Sequence, residues 1–257
     1  VSANDNLGPH LLGRWPSTPD DRNFTARFLA TATPLDIALQ KLLASRSVAQ
    51  ATKDFGMEVV RVLEQQPPPP PPPPSQGPWS SYEVLDQGQT PHCVGFGGAG
   101  FLECAPVADV GITNATGDAI YGECKVIDGE PGAEDGSSVH SLATALANRK
   151  RISAYGWAAS AHECADWVTA KGPVVIGSDW YNGMFTPDSK GVVSLTGGIA
   201  GGHCYFMRWY DAASNLFQFQ NSWGKSWGVA GNFFMHFADL DQLLKAQGEA
   251  LVAIELP

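Results

Sequence analysis

Basic residues are scarce in this chain of 257 residues: 16 Lys and Arg face 26 Asp and Glu, a formal net charge of −10. A protein that tracks phosphates needs the opposite balance, and an anionic membrane surface would repel such a chain. Nucleic acid and membrane are therefore not expected partners. No apolar run approaches the length of a membrane span. The opening VSANDNLGPH has no basic start followed by an apolar stretch, so no signal peptide is visible. A cytoplasmic or virion-associated location is expected over secretion. The five cysteines, at 93, 104, 124, 164 and 204, cannot all pair, and none shows CxxC spacing. That pattern is neither a disulfide scaffold nor a zinc site, so no metal or other cofactor is expected. Charged residues make up only 16% of the chain, whereas apolar residues reach 44%. A real core is affordable in composition and global disorder is excluded.

What is present divides the chain unevenly. Pro67 to Pro74 are eight consecutive prolines. Such a run favours a polyproline II rod of about 25 Å, at roughly 3.1 Å per residue. It cannot lie within a helix or a central strand. Residues 1–66 read as an N-terminal arm, 67–77 as a linker and 78–257 as the main domain. Within the arm, residues 8–30 are rich in Gly, Pro and Asp and are expected to be extended. Residues 34–64 carry an apolar stripe at helical spacing, opened by Thr33-Pro34 and Asp36. Beyond Pro78, helix signals come first: near Cys93, over 115–127, from Ser137 and from Ser160. Ser160-Ala161-His162-Glu163 has the form of a capping box. Strand signals then dominate, at 174–177, 204–209, 216–220, 232–236 and 251–256, with one helix near 239–246. Helices early and strands late predict an α+β fold of two layers or lobes. Asp118, Glu123 and Asp135 read as solvated acids, and Trp157 and Trp227 as packing residues.

Three segments carry candidate chemistry. Cys93 follows the turn-rich Asp86-Gln87-Gly88-Gln89-Thr90-Pro91-His92 and precedes small and apolar residues. A cysteine at a helix N-terminus meets unpaired N–H groups and the positive end of the dipole, both of which favour thiolate. Gly201-Gly202-His203-Cys204-Tyr205-Phe206 places a histidine at the start of an apolar strand. Asn221-Ser222-Trp223-Gly224 follows. A thiol nucleophile needs a base, and the base needs an orienting group. Cys93, His203 and Asn221 can supply those roles in that order. His92 and Cys204, beside the key residues, are weaker candidates as ligands or a resolving thiol. Neighbours on a strand face opposite sides, so Cys204 is expected to point away from any cleft.

With these residues the chain resembles the papain-like cysteine peptidases, in particular bacterial or phage-type members. The resemblance rests on Asn221-Ser222-Trp223-Gly224-x-x-Trp227-Gly228, on Gln87-Gly88 six residues before the cysteine, and on Gly136-Ser137-Ser138-Val139. It covers about residues 78–257 and extends to Pro19-Asp20-Asp21-Arg22-Asn23-Phe24. It implies a two-lobed fold: a helical lobe and an antiparallel β-barrel-like lobe with the cleft between them. It also implies Cys93 as nucleophile, paired as thiolate with a His203 imidazolium. Asn221 would fix the ring and Trp223 would shield it. The Gln87 amide and the Cys93 N–H would form the oxyanion hole. Gly136 and Ser137 would hold an extended peptide by strand-like hydrogen bonds, and Trp223 would also meet the substrate. The expected activity is thiol-dependent hydrolysis of peptide bonds in a peptide or protein substrate, with the arm able to dock in the cleft and inhibit. The same machinery suits a cell-wall amidase or an isopeptidase, and the fold also occurs as a non-catalytic binding module. Two departures stand out. Thr90-Pro91-His92-Cys93-Val94 lacks the upstream cysteine and the aromatic residue of the family motif. The cysteine-to-histidine spacing is also shorter than the family's roughly 130–150 residues.

Overall fold

A computed structural model describes residues 10–17, 24–31 and 77–256. The stripe at 34–64, the proline run and Pro19–Asn23 lie outside the described residues. Within the main domain, Cys93–Glu103 (α2) and Asn114–Ile127 (α3) pack side by side, and Val139–Asn148 (α4) completes the helical lobe. The short strand Ser137–Ser138 (β3) runs directly into α4, and the Ser138 hydroxyl accepts a hydrogen bond from Ser141 N–H at its start. The arm contributes Arg14–Trp15 (β1), Phe24–Thr25 (β2) and Ala26–Thr31 (α1).

Among the described residues the second lobe is a sheet of seven strands: β2, Ile152–Trp157 (β4), Val174–Tyr181 (β5), Ile199–Asp211 (β6), Leu216–Gln220 (β7), Asn232–His236 (β8) and Glu249–Glu255 (β9). Their spatial order is β2-β4-β9-β5-β6-β7-β8. Every pair is antiparallel except β2 with β4. Among the described residues the two edge strands, β2 and β8, do not pair, so the sheet is an open, mostly antiparallel layer and not a closed barrel. Ala161–Ala170 (α5) and Phe237–Lys245 (α6) pack together beside it. α5 starts as its sequence dictates: the Ser160 hydroxyl accepts from Glu163 N–H, and the Glu163 carboxylate accepts from Ala159 N–H at 2.9 Å.

Strand alternation sends the two faces of β6 into different cores. Cys204 and Phe206 face the helical lobe with Val94, Phe96 and Leu142, while Tyr205 and Met207 join Trp180, Phe219 and Phe233. All eleven residues of α2 are buried. This is why the helix tolerates four glycines at a propensity cost of about 1 kcal/mol each. A Cβ on Gly95 would lie 2.3 Å from the Gly117 carbonyl oxygen of α3, and one on Gly97 would lie 2.8 Å from Cys204 Sγ. Glycine thus sets how closely α2 approaches its neighbours.

That contact gives a paired prediction. Gly95→Ala meets backbone that cannot yield and should destabilise the protein by about 1–3 kcal/mol. Gly122→Ala, in α3 with open space around it, should stabilise by about 0.5–1 kcal/mol. Denaturant titration of both variants measures the difference; equal effects would contradict the packing argument.

Candidate active site

Cys93 is the first residue of α2 and is fully buried, with His92 as the N-cap residue. His203 stands on β6 opposite Ser178 of β5, equally buried. Asn221 follows β7 directly. Its Oδ1 lies 2.8 Å from His203 Nε2 and accepts the Ser222 N–H at 2.8 Å. An amide oxygen only accepts, so Nε2 carries the proton and Nδ1 is the free lone pair. That Nδ1 is buried without a hydrogen-bond partner. Trp223 stacks on the His203 ring with centroids 4.7 Å apart, and Trp180 meets it edge-on at 4.9 Å. Gln87 ties the two lobes together: its N–H donates to the Ser222 carbonyl at 2.9 Å, and its Oε1 accepts from the Ser222 hydroxyl at 2.7 Å. His203, Asn221, Ser222 and Gln87 thus form one hydrogen-bonded chain. The backbone of Cys204, the residue after His203 on β6, hydrogen-bonds toward the Cys93 sulfur, as does that of Gly13 of the arm.

The arm lies across these groups. Gln87 Nε2 donates to the Leu11 carbonyl at 3.2 Å as well as to Thr90 O at 2.8 Å. Ser137 N–H donates to Gly13 O at 2.7 Å, and β1 continues alongside β3 in parallel register, Arg14 with Ser137 and Trp15 with Ser138. Gly136, at φ +101°, leaves room for this strand: a Cβ there would come 2.1 Å from Gly13 O. His10 stacks on Trp223 at 4.2 Å, so the indole is held between His10 and His203. The Trp15 indole N–H donates to Asp135 O at 2.9 Å, and Lys125 Nζ sits 4.0 Å from the centre of its ring. Gly136, Ser137 and Trp223, expected from sequence to meet substrate, all contact this segment.

Electrostatics follow from the burial. Burial pushes the Cys93 thiol up to about 11, against hydrogen bonding from the backbone of Gly13, Cys204 and Val94. Burial pushes His203 down to about 3, although the Asn221 hydrogen bond raises it; the nearby His10 lowers it further. Burial thus favours the uncharged form of each group, raising the thiol pKa and lowering that of the imidazole.

Sequence reasoning missed several groups. Arg14 is buried, and its guanidinium pairs with Glu249. Ser222 and Trp180 support the Asn221–His203 pair. No local motif marks Arg14 or Glu249; Ser222 and Trp223 were visible as neighbours of Asn221. Cys204 faces the helical core, as strand alternation predicts. Asp118, Glu123 and Asp135 are half-exposed but paired, with His92, Arg149 and Lys125 respectively. His92 bridges Asp118 at 2.8 Å and Glu134 at 2.7 Å. Trp227 packs as expected, its indole N–H donating to Phe185 O.

Residues 130–247 match the papain family cysteine protease profile. Xylellain, a cysteine protease from Xylella fastidiosa, superposes with a TM-score of 0.67 at 16% identity, over 97% of this chain and 98% of that one. Procathepsin B S9 from Trypanosoma congolense superposes at 0.53 and 12% identity, over 68% of this chain and 72% of the other. Comparison with curated protein sequences gives no match. Residues 130–247 are thus similar to the papain family cysteine proteases, and the chain has the two-lobed papain-like fold.

Proposed function

We propose that this chain hydrolyses peptide bonds through Cys93, His203 and Asn221, and that its arm holds it inactive. The observation that carries the reading is the His203 Nε2–Asn221 Oδ1 bond of 2.8 Å, joined through Ser222 to the amide of Gln87. Asn221 leaves Nδ1 as the atom that exchanges a proton with sulfur. With the arm displaced, water and substrate replace residues 10–17, and the cost of charging both groups falls. The thiol proton then passes to His203 Nδ1. The thiolate attacks the substrate carbonyl, and its oxygen takes hydrogen bonds from the Cys93 N–H and the Gln87 Nε2–H that Leu11 now occupies. His203 returns its proton to the leaving amine as the C–N bond breaks, giving a thioester. A water deprotonated by His203 then hydrolyses the thioester, releasing the acid and restoring the thiol. Trp223 shields the Asn221–His203 bond from water throughout. Residues 78–257 form the hydrolytic body and 67–77 the tether in this reading. Residues 24–31 are structural, because Ala26 and Leu29 are buried in the sheet-side core.

Truncation should therefore stop short of residue 24. Removing residues 1–17 should raise peptide hydrolysis by at least ~10-fold, since only the arm-free fraction is competent. Unchanged turnover in a fluorogenic peptide assay would reject self-inhibition.

Ionisation gives a second prediction. In the intact chain Cys93 is a thiol until the pH approaches about 11, so iodoacetamide should label it slowly at pH 7 and faster only in alkali. Truncation of residues 1–17 should bring rapid labelling at neutral pH. Rapid, selective labelling of the intact chain at pH 7, read by mass spectrometry, would contradict it.

A third concerns the oxyanion. In the truncated chain, Gln87→Ala should lower kcat by on the order of 10²–10³. A loss confined to KM would assign Gln87 to positioning alone.

A further inference from the structure

We infer that His92 is a positioning residue: an imidazolium clamped between Asp118 and Glu134, it sets the loop that delivers Ser137 N–H against the helix start that carries Cys93. This deepens the peptidase reading and rests on it for the identity of the ligand as a peptide. The His92 side chain makes no cap hydrogen bond to α2. Its carbonyl holds the first turn instead, accepting the Phe96 N–H at 3.1 Å. The ring reaches α3 and the loop before β3. Nδ1 lies 2.8 Å from Asp118 Oδ1, and Nε2 lies 2.7 Å from Glu134 Oε2. An ionised carboxylate only accepts, so both nitrogens donate and the ring is the doubly protonated cation. A neutral ring would leave one lone pair facing an acid. With both nitrogens donating, no lone pair is left for a metal ion, so the trio is a clamp and not a ligand set.

The clamp is largely covered and is tied to its surroundings. The His92 side chain is 12% exposed and stacks on Tyr121 of α3, with ring centres 3.9 Å apart. A charged pair in open water is worth little; a shielded ring held at both ends is worth more. Tyr121 carries the connection onward. Its hydroxyl donates to Ala133 O at 2.9 Å and accepts the Gly136 N–H at 3.1 Å. Lys125, one turn along α3, pairs with Glu130 and Asp135. The loop 130–136 thus hangs from α3 at two points, and Glu134 links it to the residue before Cys93. Ser137 follows at once, its N–H donating to Gly13 O at 2.7 Å. The two backbone donors that a bound peptide would use, Cys93 N–H and Ser137 N–H, are therefore joined by a short path through His92 and Glu134. Opening that path loosens the loop and touches neither donor. The hold on an extended chain should weaken while the chemistry at Cys93 is kept.

Two readouts use the full-length chain with the arm in place. At pH 6 the ring nitrogen shifts should show His92 protonated at both nitrogens and His203 at Nε2 alone. A singly protonated His92 would overturn the proposal. Glu134→Ala, at an exposed side chain, and His92→Gln should each lower the hydrogen-exchange protection of Ser137 N–H by at least ~5-fold, with protection inside α3 unchanged. The double variant should lose no more than either single one, because both cut the same path. Unchanged protection or additive losses would overturn the proposal, as would an equal loss throughout α3, which marks general destabilisation. Turnover is read separately. Full-length Arg14→Glu sets a second carboxylate against Glu249 and displaces the arm. In that background Glu134→Ala should raise KM for a peptide at least ~5-fold and leave kcat within ~2-fold. A loss in kcat alone would overturn the positioning role. Absence of hydrolysis by Arg14→Glu, with the shifts and the exchange as expected, would uphold the clamp and count against the peptidase reading.

Discussion

Water exclusion at one point governs the arrangement. A single strip of chain, residues 10–17, covers the sulfur of Cys93 and sits one indole away from the ring of His203. Charging either group under that cover is costly, so each is held in its neutral form from opposite sides: the thiol by a raised pKa, the imidazole by a lowered one. Cover and neutrality are linked thermodynamically. His203 resists protonation in the covered state, so that state loses stability as pH falls below 6.5 toward about 3. Cys93 resists deprotonation there, so stability is also lost as pH rises above 9.0 toward about 11. Relative to the unfolded chain, neither ionisation opposes the covered fold between those limits.

In the proposed reading, the contacts that hold the strip are those a substrate would use. A backbone carbonyl of the arm takes the Gln87 amide, and another takes Ser137 N–H. The rest of the fold positions these acceptors and donors. β6 presents His203 to one core and Cys204 to the other, while α2 brings Cys93 against the same strand through its glycines. The Gln87–Ser222 hydrogen bonds fix the turn before α2 to the turn after β7, so the helical lobe and the sheet cannot drift apart without breaking the site.

The order of the elements was legible in the sequence wherever a local signal and a tertiary demand agree. Ser160 with Glu163 caps a helix in any context, and Leu216–Gln220 alternates as a half-buried strand must. Cys93, His203 and Asn221 were legible through their neighbours, above all the Asn221-Ser222-Trp223-Gly224 run. What escaped depends on distant partners. β4, ISAYGW, has small residues at alternate positions and becomes a strand by pairing with β9. α1 is only six residues, follows a stretch rich in Asp and Pro, and is held by burial of Ala26 and Leu29. Glu249 opens a strand after Gly248 and reads as an ordinary surface acid; its meaning comes from Arg14, 235 residues earlier. The neutral state of the Cys93–His203 pair was likewise invisible, because it is a property of what lies over the site.

The most direct test is the ionisation of His203 in the intact chain, read from the ring nitrogen chemical shifts by NMR across pH 4 to 8. The account predicts a neutral ring protonated at Nε2 and free at Nδ1 throughout that range, becoming an imidazolium at neutral pH only once residues 1–17 are removed. A protonated, doubly N–H ring at pH 7 in the untruncated protein would contradict it.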